Sequence, residues 1–274
     1  MQGIIVKLIS NDYTVFANNK YYVCKARGKF RNMNISPVVG DNVVIDSENK
    51  IILEVLPRKN RLLRPPVANV DQAIIITSLK HPNFDSNLLD KLLNIIEWNN
   101  INPIIIFTKV DLVDISKYQM IIDYYKNIGY QVYLNNEIEK IEKIFKNKVS
   151  VFAGQSGAGK STLLNNLNKD LNIKTAEISL ALNRGRHTTR HVELLNVSGG
   201  LVADTPGFSA IEFIGMTPSD IRDNFTEFNK YRNECKYRDC MHDKEDGCKI
   251  KEMVASESIL KSRYENYLNF IHKG

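Results

Sequence analysis

The sequence predicts a multidomain α/β protein in three parts. Residues 1–64 read as an OB-fold β-barrel, 65–213 as a mostly parallel sheet with helices on both faces, and 214–274 as a helical, metal-holding unit. Three observations carry that expectation. Five short strand-like runs crowd into the first quarter of the chain. From Asn69 onward, apolar strand-like runs alternate with helix-like ones. Near the C-terminus Cys235, Cys240, His242 and Cys248 fall within one short stretch. Strands without helices suggest a barrel, and alternation suggests a parallel sheet with crossover helices.

A chain of 274 residues is long enough for two or three domains. No apolar run reaches the ~20 residues of a membrane span, and Met1-Gln2-Gly3-Ile4 opens without a secretory pattern. A cytoplasmic, monomeric protein is expected. The net charge of +6 is unevenly spread: residues 1–64 hold 11 Lys/Arg against 5 Asp/Glu, and the remainder holds 26 of each. A basic first quarter suits a polyanion such as RNA. In a reducing compartment the crowded cysteines favour a metal over disulfides, whereas Cys24 stands alone in a strand pattern and reads as a small buried residue.

In the first part the strands are Ile4–Leu8, Tyr13–Phe16, Lys20–Cys24, Val43–Ile45 and Ile51–Val55. Lys25, Arg27, Lys29 and Arg31 alternate, so an extended chain puts all four on one face. Tyr21, Tyr22 and Phe30 lie near them, and cations beside aromatic rings suit phosphate contact with base stacking. The stretch Arg58–Pro66, basic and ending in Pro-Pro, reads as a linker.

The second part runs strand Gln72–Ser78, helix Asp85–Trp98 capped by Asp85 or Ser86, strand Pro103–Phe107 and helix Ser116–Asn127. Strand Tyr130–Leu134, helix Glu137–Phe145 and strand Val149–Ala153 follow. That last strand enters Gly154-Gln155-Ser156-Gly157-Ala158-Gly159-Lys160-Ser161-Thr162, and Ser161–Asn168 continues as a helix. The run fits G-x-x-x-x-G-K-[ST] in its strand-to-helix context. Glycines let backbone N–H groups wrap a phosphate chain, the helix start favours the same anion, Lys160 adds a point charge, and the Ser161 hydroxyl suits Mg²⁺.

After strand Pro103–Phe107 comes Thr108-Lys109-Val110-Asp111, at the carboxyl end of a parallel strand where nucleotides bind. It resembles the guanine-reading [NT]-K-x-D of the GTPases. Asp111 would accept from guanine N1–H and N2–H₂, a donor pair adenine lacks, and the Lys109 stem would cover the base. Thr108 stands where Asn is commoner, and Asn135-Asn136 follows Leu134 where those enzymes usually carry a small Ser/Ala-type residue. Downstream, Asn183–Arg190 occupies the place of the first switch, where either Thr188 or Thr189 could reach Mg²⁺. Leu201–Asp204 then enters D-x-x-G, in which Asp204 can hold a metal-bound water and the Gly207 N–H can meet the γ-phosphate.

The order of these motifs is rotated: Thr108–Asp111 precedes Gly154, so the domain is circularly permuted, which nearby termini allow. Cys235-x₄-Cys240-x-His242-x₅-Cys248 is a Cys₃His set that can surround one tetrahedral zinc. Basic barrel, permuted motifs and cysteine cluster together resemble the ribosome-small-subunit-dependent GTPase A family over essentially the whole chain. The resemblance implies an OB-fold, a permuted GTPase domain, a zinc tail whose ion is structural, and a role in late maturation of the small ribosomal subunit with rRNA contact. It implies GTP or GDP bound with Mg²⁺, and no membrane partner.

Many GTPases place Gln after D-x-x-G. Phe208 cannot hydrogen-bond water, so slow intrinsic turnover stimulated by a partner is expected, with His187 as the candidate for orienting the attacking water. Permutation also leads the second switch straight into the zinc segment. The rival classes are an ATP-using kinase or ATPase, which Asp111 disfavours, and an RNA-binding assembly protein in which nucleotide only signals occupancy.

Overall fold

The structure, a computed structural model, describes residues 1–28, 30, 36–63, 65–168, 192–204 and 212–273. Five strands open it: β1 (Gln2–Ile9), β2 (Asp12–Ala17), β3 (Lys20–Ala26), β4 (Asn42–Asp46) and β5 (Ile51–Val55). They pair in the order β1-β2-β3-β5-β4, and β4 returns to β1, so the barrel closes. β3 and β5 run parallel and the other pairs antiparallel. The OB-type barrel expected from the strand spacing is therefore present, with Ile5, Val15, Cys24, Val43, Ile45 and Ile52 filling it.

The basic stretch after β3 departs from expectation. β3 ends at Ala26, and the Phe30 N–H bonds the Arg27 carbonyl in a turn. Of the four alternating cations only Lys25 lies on the strand, paired with Asp12 at 2.6 Å. Lys29 and Arg31 lie outside the described residues. Phe30 is a core residue, 4% exposed, and cannot stack on a ligand, whereas Tyr21 is 70% exposed. An apolar ring gains more from burial than from a place at the surface.

The stretch read as a linker is tied down on both sides. β6 (Arg61–Leu62) pairs with β7 (Val67–Ala68). Arg58 donates twice to the fully buried Asp41 of the barrel, at 2.6 and 2.7 Å, and Asn60 exchanges hydrogen bonds with Val70. Arg64 lies outside the described residues.

The second part contains β8 (Gln72–Ser78), α1 (Ser86–Trp98), β9 (Asn102–Thr108), α2 (Gln119–Asn127), β10 (Gln131–Leu134), α3 (Ile138–Phe145) and β11 (Val149–Gly154). α4 (Lys160–Leu167), β12 (Glu193–Val197) and β13 (Gly200–Asp204) complete it. The strand order is β10-β9-β8-β11-β13-β12, parallel up to β13 with β12 antiparallel at its side. Side-chain alternation puts Ile74, Ile76, Ile104 and Ile106 against α3 and α4. Ala73, Ile75, Ile105 and Phe107 face α1 and α2. Helices on both faces follow from strands that are apolar on both sides. Asp85 caps α1 by accepting from the Leu88 N–H.

α5 (Pro218–Asp223), α6 (Lys249–Ala255) and α7 (Lys261–Lys273) form the C-terminal part around a separate core that includes Phe225, Phe228, Cys240, Cys248 and Tyr267. α7 docks on α1 through a buried ion cluster. Arg263, 1% exposed, bonds Asp90 and both oxygens of Glu227 at 2.7 Å, while Asn266 also donates to Asp90. Among the described residues no helix is long and apolar enough to cross a membrane.

Candidate functional site

The sequence direction of the chain reverses between β8 and β11: strands to one side lead away through β9 and β10, and to the other through β13. Ligands bind open α/β sheets at the carboxyl ends of strands beside such a reversal. Both diagnostic motifs emerge there. Gly154 ends β11 with φ +130°, and a Cβ on it would stand 2.1 Å from the Ile76 carbonyl oxygen, so no other residue fits. The loop then turns through Gly157 and enters α4 at Gly159, left-handed with φ +99°.

Lys160 folds back over the loop and donates to the Gly154 and Gln155 carbonyls, each at 2.8 Å. Burial pushes its ammonium down to about 8. Ser161 is half-buried in the first turn of α4, Ala158 is buried, and Gln155, Ser156 and Thr162 are wholly or partly open to solvent.

The guanine-type motif is joined to this loop by its own side chains. The Thr108 hydroxyl donates to the Ala158 carbonyl at 2.6 Å, and Lys109 donates to the Gly157 carbonyl at 2.9 Å and to the His81 carbonyl. Lys109 is left-handed and leads into a 3₁₀ turn, Val110–Leu112. Asp111 is exposed on that turn and makes no ion pair or hydrogen bond among the described residues. Thr108 thus supplies the loop-tying contact although it replaces Asn. The sequence offered one signal for it, a hydroxyl at the end of the strand two places from β11. Asn135 is a contact that sequence reasoning did not assign: its Oδ1 faces the Val110 N–H at 3.5 Å, and its own N–H bonds the Phe107 carbonyl. Asp204 ends β13, next but one to β8 in the sheet. His187, Thr188, Thr189, Gly207 and Phe208 lie outside the described residues.

The second centre is Cys235, Cys240, His242 and Cys248, whose ligand atoms all lie within 4.8 Å of one another. His242 Nδ1 stands 3.6 Å from the Cys235 sulfur and 3.4 Å from that of Cys248. Zinc bond lengths of about 2.3 Å to sulfur and about 2.0 Å to nitrogen set tetrahedral N···S edges near ~3.5 Å, so the set fits one ion. Burial lowers His242 to about 4, leaving the neutral ring a metal needs, and raises the Cys240 thiol to about 12. Packed thiols hold their protons until a cation joins them. His242 Nε2 is buried without a partner among the described residues.

A closed basic barrel, a parallel sheet with a phosphate loop, and a guanine-type turn tied to that loop define a nucleotide-binding protein with permuted motif order. The RsgA GTPase family matches residues 55–214, and the RsgA N-terminal domain matches residues 2–51. "Small ribosomal subunit biogenesis GTPase RsgA" of Enterococcus faecalis (strain ATCC 700802 / V583) is 48% identical, covering 99% of this chain and 94% of that protein. RsgA 1 of Listeria monocytogenes serotype 4b (strain F2365) is 47% identical, covering 100% and 97%. Among solved structures, YloQ, described as a circularly permuted GTPase, superposes with a TM-score of 0.84 at 37% identity, covering 99% and 94% of the two chains. YjeQ from Thermotoga maritima gives 0.86 at 35%, covering 99% and 97%. This chain belongs to the RsgA GTPase family. It is a GTP hydrolase with permuted motif order, as the rotated motifs led one to expect.

Proposed function

We propose that this GTPase acts in maturation of the small ribosomal subunit, binding the subunit and its rRNA and hydrolysing GTP under stimulation by it. The names of its relatives support the subunit as partner. The observation that carries the nucleotide reading is the tie of Thr108 to Ala158 and of Lys109 to Gly157, which gives purine and phosphate sites one mouth. We divide the chain into an RNA-binding barrel (1–64), the GTPase domain (65–213) and a zinc-binding unit (214–274). Exposed Tyr21, Lys20 and Arg27 support barrel contact with RNA. The protein works as a monomer in the cytoplasm, where its subunit is.

In this reading the amides of Gly154–Thr162 and the Lys160 ammonium hold the phosphates, and Asp111 accepts from guanine N1–H and N2–H₂. Ser161, Asp204 and either Thr188 or Thr189 supply the hard oxygen donors that suit Mg²⁺. When bound with nucleotide, that ion would neutralise negative charge on the phosphates. Gly207 N–H meets the γ-phosphate, and His187 orients water. One structural zinc sits in the Cys₃His set, where four protein ligands leave no open position.

Turnover of GTP with and without purified small subunits, at several salt concentrations, tests the proposal. We expect slow basal hydrolysis, strong stimulation, and a steep loss of stimulation as salt rises. Unchanged turnover on adding subunits would refute the partner. Full stimulated turnover by His187→Ala with intact GTP binding would remove His187 from the mechanism.

A further inference from the structure

Strand β1 divides one edge between two neighbours. Gln2, Gly3 and Ile4 pair with β4 and close the barrel, while Lys7 pairs with Glu193 of β12. The register of β1 against β2 shifts between Ile5 and Lys7, and a bulge of that kind bends a strand and re-aims its side chains. Barrel and GTPase sheet are thereby one continuous run of paired strands. The Lys7 ammonium meets the Glu193 carboxylate at 2.7 Å. Val6, Val192 and Leu194, which flank this pair in sequence, are buried in the core that barrel and sheet share. Glu193 has a second neighbour: its register partner in β13 is Asp204, the first residue of D-x-x-G. Lys7, Glu193 and Asp204 therefore form one row across three strands. β12 follows Thr188 and Thr189 in sequence and β13 runs on toward Gly207, so the hairpin that meets the barrel joins the two segments read as switches. β13 pairs with β11 over Val149–Val151, opposite Leu201, Val202 and Ala203, and Asp204 lies beyond that register. The barrel's other ties, Arg58 to Asp41 and Ala68 to Val39, hold it to the chain leading into β8. A displacement at the Asp204 end of the hairpin relative to β8 would tilt the barrel.

We propose that Lys7 and Glu193 are a positioning pair that carries nucleotide state from the second switch to the barrel, and subunit binding at the barrel back to the nucleotide. The proposal rests on the reading of the switches and of the RNA-binding barrel given above. In GTPases the γ-phosphate orders the switch segments. Asp204 and Glu193 share one register position, so what fixes the D-x-x-G end of β13 also fixes the residue that Lys7 grips. Coupling between two sites is reciprocal. If the GTP form holds the barrel in the orientation that the subunit takes, subunit binding favours the GTP form by the same factor. Stimulation by the subunit then has a route through the chain's own sheet.

The test measures the affinity of the full chain for purified small subunits, once with GDP and once with a non-hydrolysable GTP analogue, and takes the ratio. Lys7→Glu and Glu193→Lys each set like charges face to face. The side chains are 33% and 41% exposed, so the fold tolerates either change. Each should shrink the ratio by about two- to tenfold, with GDP affinity and basal turnover held within about twofold. The double exchange, Lys7→Glu with Glu193→Lys, rebuilds the pair and should restore the ratio. Lys25→Glu breaks a similar pair, with Asp12, between β3 and β2 away from β12. It should change subunit affinity equally in both nucleotide states and leave the ratio alone. A ratio unchanged in both single reversals, or lost in them and not restored by the exchange, overturns the assignment. An equal loss of ratio in Lys25→Glu also overturns it, since any disturbance of the barrel would then suffice. A wild-type ratio near unity with subunit binding intact removes the coupling and leaves the subunit as partner. If the wild-type chain binds no subunits with either nucleotide, the partner reading falls and the role of the pair falls with it.

Discussion

A threonine hydroxyl has one proton to give, and where it goes decides what the residue does. Thr108 gives it to Ala158, so this residue braces the phosphate loop. The residue types of the loop were legible in the sequence because wrapping an anion leaves few alternatives: Gly154 has a carbonyl oxygen where a Cβ would be. Phe30 was not legible, since a ring beside cations reads alike whether it stacks on a ligand or fills the barrel. Lys160 carries a pH dependence. Burial lowers its free pKa to about 8, and a bound phosphate raises it again. Below pH 8 the ammonium is already formed. Above it, binding must take up a proton, so GDP affinity should fall roughly tenfold per pH unit until the bound-state pKa is reached. Titration calorimetry between pH 7 and 9.5, in buffers of different ionisation heat, reads both the slope and the proton uptake. A flat affinity across that range would contradict it.

Helix α1 shows what one element can be asked to do. Its Leu89, Leu92, Leu93 and Ile96 pack on the sheet, and that stripe was legible from helical spacing alone. Its Asp90 and Asn94 are polar, yet both are buried: Asp90 meets Arg263, and Asn94 donates to the Ile221 carbonyl. The partners lie more than a hundred residues away, which no local pattern encodes. The Arg58–Asp41 pair spans only 17 residues, yet it too was hidden, because a buried acid in the barrel gives the supposed linker no local signal. In the helix read over Ser116–Asn127, Asp114 caps a 3₁₀ turn, Ile115–Tyr118, before α2 begins. Near the end of α1, burial raises Glu97 to about 7, partly offset by the Tyr130 hydroxyl. The unfolded value is near 4.5, so the folded chain holds the extra proton between the two. The stability this contributes is full below pH 4.5 and lost as pH rises through 7. Glu97→Gln should leave stability at pH 4.5 unchanged and raise it at pH 8 by about 1–3 kcal/mol. Urea unfolding at the two pH values measures it, and equal shifts at both would exclude the buried carboxyl as cause.

At the scale of the molecule, one apolar core runs from the barrel onto one face of the sheet, a second covers the other face, and the C-terminal core docks on α1 through buried polar contacts. Motif order was enough to reveal the permutation, because each motif carries its own position relative to the sheet. How the C-terminal part sits was not legible, since arginine is seldom buried and Arg263 is. That docking makes a prediction about the Cys₃His set. Cys240 and Cys248 belong to the C-terminal core, and Tyr264 and Tyr267 of α7 donate to the carbonyls of His242 and Met241. If the Cys₃His set holds an ion, its removal would release the loop that α7 packs on, because metal binding in such sites is folding free energy. If α7 loosens, Asp90 and Glu227 lose their guanidinium and α1 loses its outer support. The inner face of α1 and the sheet draw on other residues, Ile75, Ile105 and Val151 among them. Chelation, or Cys240→Ser, should therefore collapse amide protection over residues 212–273 and weaken it along α1. Protection of β8, β9 and β11 should stay unchanged and GDP affinity within about twofold, as distant sites rarely couple more strongly. Hydrogen exchange with and without chelator separates these segments. Uniform loss of protection through the sheet, with nucleotide affinity lost alongside, would show instead that the chain folds as one unit around its metal.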